Sequence, residues 1–230
     1  MAFEFLSYRL DPTDPVWPGA AALTIESDAV LGVDGSPYNT AICHLPNHFG
    51  THFDAPLHFN PNGPPLCELD ADYFAYKGNE VFVLDVPKNA REIITLEDVL
   101  PHGDKIKSVR LLLFHSGFSK LRRVDASTYQ GEGPCIHPDV ARWLVENCPQ
   151  LMCIGVDFIS IGSPCNALAT DTHQWLLGCR TNKFITAIED MDMEPLVGKK
   201  INFIALGPLR IVGADSGQVS IIADLEPINI

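Results

Sequence analysis

Short apolar runs bounded by glycine, proline and polar residues dominate the chain. They predict strands over Tyr38–Leu45, Val81–Val86, Arg110–His115, Met152–Val156, Phe184–Ile188, Ile201–Leu206 and Val219–Ala223. Helical spacing is rarer. Pro138–Asn147 opens with proline, whose missing N–H has no partner in a first turn anyway, and repeats apolar residues at Val140, Leu144 and Val145. Thr95–Leu100 is a shorter helix with Thr95 placed to cap it, and Asp171–Leu177 begins on a residue type favoured at an N-cap. Asn60–Leu66, Asn-Pro-Asn-Gly-Pro-Pro-Leu, admits no regular structure and reads as a loop. With no linker, repeat or charge block in between, the pattern predicts one domain, 1–230, of mixed and strand-rich α/β class.

Composition narrows the function classes. Of 230 residues, 46% are hydrophobic and 20% charged, which suits a chain that buries a core rather than a disordered one. The net charge of −13 argues against a nucleic-acid partner, whose phosphates require a basic surface. Seven cysteines, an odd number without a C-x-x-C pair, read as reduced and mostly buried thiols of a cytoplasmic protein. Glu4, Arg9 and Asp11 are unlike a secretory leader, and no apolar run reaches the ~18 residues of a membrane span.

The chemistry concentrates in one stretch, His48-Phe-Gly-Thr-His52-Phe-Asp54-Ala-Pro-Leu-His58-Phe. Even positions carry His48, His52, Asp54 and His58; odd positions carry Phe49, Phe53, Leu57 and Phe59. In an extended chain that split puts imidazoles and a carboxylate on one side and an oily face on the other. A straight strand would carry His58 ~33 Å from His48, so convergence on one ion, with ligands ~2 Å away, requires bends. Gly50 and Pro56 are placed to supply them. Hydrogen-bonded histidines in a β-rich core are the alternative; three histidines and an aspartate on one parity favour a metal. Imidazole with carboxylate suits zinc, manganese or iron better than calcium or magnesium. Further ligands can come from His173, in the first turn of a helix, or from Glu189 and Asp190 at the end of an apolar strand.

These residues resemble the metal-dependent cyclase and kynurenine formamidase-like hydrolases, whose signature H-x-G-T-H-x-D-x-P-x-H is matched from His48 to His58. Pro15-Val-Trp17-Pro18-Gly19, Gly133–Leu144 and Ile154-Gly-Val-Asp157 are similar to further segments of that family. The resemblance implies a swivelling β/β/α-type fold in a homodimer or homotetramer. It implies one or two divalent ions per chain, Zn2+ or alternatively Mn2+, held by His48, His52, Asp54, His173 and Glu189, with Asp54 able to bridge two ions. His58 would be the catalytic acid–base. The loop before Glu189 is longer than the family pattern, which leaves Asp190 as the alternative carboxylate.

The expected activity is hydrolysis of a small amide, an aryl formamide of the N-formylkynurenine type. A metal lowers the pKa of its water to ~7, and an imidazole, which titrates near neutrality, protonates the departing nitrogen. Alternatives are opening of an isatin-type lactam, or metal or ligand binding without catalysis on the same scaffold. No G-x-S-x-G, H-E-x-x-H, phosphate-loop or dinucleotide motif competes. His44 reads as structural, and His102 and His137 as loop residues; His115 lies in a turn or at a pocket edge. Trp17, Phe59, Tyr73 and Phe74 are either a pocket wall or core.

Overall fold

A computed structural model describes residues 2–228. Its main sheet has nine strands and two halves. In the parallel half, Val81–Asp85, Leu111–His115, Cys153–Val156 and Thr186–Glu189 lie side by side in that order. Alternation decides where their side chains go: Leu112, Phe114, Ile154 and Val156 enter one apolar core, while Leu111, Leu113 and Cys153 enter the other. Both faces are thus buried, as a parallel sheet requires. Gly155 is needed in this layer, because a Cβ there would stand 2.5 Å from the Met191 sulfur and 2.7 Å from Leu113.

The antiparallel half is built on a long hairpin, Lys199–Pro208 with Ser216–Pro227, flanked by Ala75–Lys77 and Ala2–Phe5. These hairpin strands run past their predicted ends because Lys200 and Glu226, paired across the hairpin, sit on an outward face, which apolar content alone does not register. The two halves meet at one short strand, His52–Asp54, which pairs with Thr186–Glu189 on one side and Ser216–Pro227 on the other. A separate hairpin, Thr24–Ala29 with Thr40–His44, projects with nearly every residue exposed.

Helices cover one face of the parallel half. Pro138–Asn147 occupies its predicted range and buries Val140, Ala141, Leu144 and Val145. His137 is its cap, accepting the Asp139 N–H at Nδ1. The neighbouring helix is Ala169–Leu176, so Asp171 is not its N-cap; it lies inside the first turn and pairs with Arg180. Leu96–Val99 forms behind Thr95 as expected, while Gly103–Lys107, Leu121–Val124 and Ala126–Gly131 were hidden by their brevity. The cysteines are less buried than expected: Cys43, Cys165 and Cys179 are exposed, and all seven are free thiols. No helix among the described residues is long and apolar enough to cross a membrane.

Candidate metal centre

The histidine-rich segment is bent at both predicted places. Gly50 has φ 64°, in the left-handed region, and a Cβ there would meet Leu10 at 2.4 Å. Pro56 opens a single 3-10 turn over Pro56–His58. Between the bends, His52 and Asp54 share one face of their strand, while Phe53 points into the core. Register then supplies the next group: Glu189 lies directly across from His52. His173 arrives from helix Ala169–Leu176, whose close approach depends on Gly162, where a Cβ would stand 2.4 Å from that of Ala169.

Five of the six predicted residues form one buried or half-buried cluster of facing donor atoms. His48 Nδ1 lies 3.1 Å from Asp54 Oδ1, and His52 Nε2 lies 3.6 Å from the same oxygen and 3.3 Å from Glu189 Oε2. His173 Nε2 lies 3.6 Å from Glu189 Oε1 and 4.0 Å from Asp54 Oδ2. Ligand atoms about 2.1 Å from a tetrahedral ion stand about 3.4 Å apart, so these separations have the right scale. His52 Nε2 and both Asp54 carboxylate oxygens are buried without a hydrogen-bond partner, which is costly unless a cation completes them.

Backbone carbonyls fix the imidazoles for that task. Gly50 O accepts from His52 Nδ1 at 2.8 Å and Ala169 O from His173 Nδ1 at 2.7 Å. A carbonyl only accepts, so each Nδ1 carries a proton and each Nε2 is the nitrogen aimed at the acids, where it can hold a second proton or a metal. Glu189 Oε1 is held by the Ser160 hydroxyl at 2.8 Å and the Ile161 N–H at 2.7 Å. The donor set is nitrogen and oxygen, and it fits a zinc- or manganese-type divalent ion.

The electrostatics agree. Burial pulls His48 down, yet the carboxylates of Asp215 and Asp54 push it up to about 10. Burial likewise opposes charge on His52 and His173, but neighbouring Glu189 and Asp54 hold both above the ordinary histidine value. Burial also works against ionised Asp54 and Glu189, and the surrounding imidazoles still hold both below the usual carboxylate range. The cluster therefore attracts positive charge, from protons or from a metal.

His58 stands beside the cluster, its ring 4.1 Å from that of His48. Its Nδ1 meets Asp215 Oδ2 at 2.8 Å, and the same oxygen takes His48 Nε2 at 2.9 Å. Asp215 Oδ1 accepts from the Asn47 side chain at 2.5 Å, and hydrogen bonds from His48 and His58 hold this carboxyl far below its ordinary value. Sequence reading missed Asp215, which is remote in the chain and carries no motif; its one available signal is a lone acid in the connection before the last strand.

Asp190, the alternative to Glu189, turns the other way. At φ 54° its side chain leaves the cluster and accepts from Arg122 Nε and a terminal nitrogen at 2.8 Å each, and from the Tyr129 hydroxyl at 2.5 Å. Arg122 also holds Asp14 at 2.8 Å and lies over the Tyr8 ring. The cluster opens on a cavity of about 380 Å³, walled by the Pro15–Trp17 segment, Phe59 and Ile159. Trp17 and Phe59 thus reach the cavity, whereas Tyr73 and Phe74 pack against the antiparallel core. His115 pairs with Asp85 and does not line the cavity.

Residues 5–163 match the model of a family described as putative cyclase, and the chain belongs to that family. It is 28% identical over 214 residues to a kynurenine formamidase of Sphingopyxis alaskensis, covering 93% of each chain. A Haemophilus influenzae protein without an assigned role is 37% identical over 123 residues, 54% of this chain and 85% of that one. Among solved structures, isatin hydrolase A from Labrenzia aggregata, bound to benzyl benzoate, superposes with a TM-score of 0.80 over 99% of this chain and 94% of that one, at 20% identity. The mixed α/β fold expected from the sequence is the fold of that protein.

Proposed function

We propose that the protein is a metal-dependent hydrolase that cleaves C–N bonds of small amides, aryl formamides in particular. The observation that carries this reading is the buried, unpartnered His52 Nε2 and Asp54 carboxylate, facing His48, His173 and Glu189 at ligand-like spacing. The kynurenine formamidase relatives, similar along nearly the whole chain, support the substrate class. His48, His52, Asp54, His173 and Glu189 would hold the metal, Zn2+ or Mn2+. Two triads, His52/Asp54/Glu189 and His48/Asp54/His58, share Asp54, which leaves room for one ion or two. A divalent ion there would supply an acidified water and a polarised carbonyl.

The remaining work falls to side chains. Asp215 accepts from His58 Nδ1, so Nε2 is the atom left to exchange a proton in the cavity. As water adds to the formyl carbon, a C–O bond forms and His58 takes the released proton. The C–N bond then breaks as His58 returns that proton to nitrogen, giving a neutral arylamine and formic acid, which releases its proton to solvent as formate. Phe59 stacks on His173 with centroids 4.5 Å apart, and Trp17 adds an aromatic wall suited to an aryl ring. Opening of an isatin-type lactam uses the same parts, and the shared fold with isatin hydrolase A keeps it as the second reading. Assaying the metal-loaded protein against an aryl formamide, a cyclic imide and isatin tests the proposal; turnover of none of them would leave a binding protein.

A homo-oligomer in the cytoplasm completes this reading. The projecting hairpin exposes Ile25 and Ile42, and a lone two-stranded hairpin is marginal in water without a partner surface. Light scattering that gives a monomer would remove this part.

A further inference from the structure

The cavity beside the cluster is selective by charge. Its walls away from the donor atoms carry no charge: Val16, Trp17, Phe59 and Ile159 are apolar, and Ser160 and Thr170 add only hydroxyls. The only carboxylates lining it are Glu189 and Asp190, and neither lysine nor arginine lines it among the described residues. Behind the wall, Arg122 is already engaged. Its guanidinium nitrogens bind Asp190 and Asp14, and its face lies 4.1 Å from the Tyr8 ring centroid. Asp190 is equally committed, because one oxygen accepts from Arg122 and Tyr129 and the other from Arg122. A substrate carboxylate held away from the reacting centre would therefore lose its water and meet no cation. A substrate ammonium would find Asp190 already neutralised. Each loss penalises a charged or zwitterionic tail and leaves an uncharged one unaffected.

We propose that this site takes aryl amides or lactams whose non-reacting part is uncharged, and disfavours those bearing an amino-acid or carboxylate tail. The inference rests on the hydrolase reading above and narrows it: the zwitterionic substrate suggested by the kynurenine formamidase relatives is the poorer one here.

The test uses the metal-loaded protein and two formamides that share one reacting group, 2′-formamidoacetophenone, which is neutral, and N-formyl-L-kynurenine, which is zwitterionic. The expected result is a kcat/KM at least about tenfold higher for the neutral compound, expressed mainly in KM because the tail touches the wall throughout the reaction. Calorimetric binding of the two products, 2′-aminoacetophenone and L-kynurenine, should show the same order, and it needs no turnover. Equal or better use of the zwitterion, or equal binding of its product, overturns the inference. If neither formamide is hydrolysed, the amide reading fails and product binding alone decides: tighter binding of the neutral amine sustains the charge selectivity, and equal binding removes it.

Discussion

Asp215→Asn isolates what the carboxylate does for the two histidines it joins. The substitution keeps shape and leaves the Asp215 carbonyl, which accepts the Ala55 N–H at 2.9 Å, untouched. It removes the charge from an oxygen that receives His48 Nε2 at 2.9 Å and His58 Nδ1 at 2.8 Å, and it sets an NH2 group against that of Asn47 or against the imidazoles. Hydrogen bonds to a charged acceptor contribute about 1.5–3 kcal/mol each. Because Asp215 is about a third exposed, solvent screening places the total below the roughly 3–6 kcal/mol that two such bonds would sum to. A loss of about 1.4–2.8 kcal/mol corresponds to a 10–100-fold effect, the range typical of groups that orient metal ligands. The loss divides between two readouts. Turnover at saturating metal reports the His58 arm, since a His58 without its acceptor no longer keeps Nδ1 protonated and Nε2 available. Metal affinity reports the His48 arm. We expect kcat to fall 10–100-fold with KM little changed, and metal to bind more weakly. An Asp215→Asn protein with wild-type kcat and wild-type metal affinity refutes the positioning argument.

Three further outcomes follow from the same geometry. His58→Ala should retain metal and fold and lose about 10²–10⁴ in kcat, the usual contribution of a positioned acid–base; undiminished kcat removes His58 from the reaction. Arg122→Ala strands the buried Asp190 without its partner, costing about 3–5 kcal/mol and, in a chain of this size, lowering Tm by about 6–20 °C in calorimetry; a drop under about 2 °C contradicts the pairing. In the metal-free protein His48 is raised from 6.5 to about 10, so its stabilisation is complete below pH 6.5 and is lost as pH climbs toward 10. Metal competes for the same cluster and should therefore bind more tightly as pH rises from 6.5 to 9, which a titration at several pH values checks; a flat affinity contradicts it.

The site was legible in the sequence where chemistry and local geometry coincide in a short stretch. His48, His52, Asp54 and His58 share one parity, and the two residues able to bend the chain, Gly50 and Pro56, lie between them. The Glu189 assignment also follows from parity: Glu189 faces His52 across the strand pair, and Asp190, one residue on, has to face away. Asp215 was not legible because its position depends on Ser216 pairing with Asp54, a contact between strands 162 positions apart. The Arg122–Asp190–Asp14 network escaped for the same reason: burial of Arg122 is set by tertiary packing, and its local sequence, Leu-Arg-Arg-Val, reads as a solvated face. In the fold, the parallel strands were visible as continuous apolar runs. The ends of the long hairpin were not, since half its residues face outward and their polarity resembles a loop.

The central claim is that five side chains from three separate parts of the chain gather a divalent metal, as one ion or two. Elemental analysis of the purified wild-type protein beside its Asp54→Ala variant, with circular dichroism to confirm that both are folded, tests it most directly. The account predicts one or two equivalents of zinc or manganese per wild-type chain and near-zero metal in folded Asp54→Ala, since both possible triads share that carboxylate. Wild-type metal content in the variant, or a wild-type protein that takes up no divalent ion when supplied with one, would contradict it.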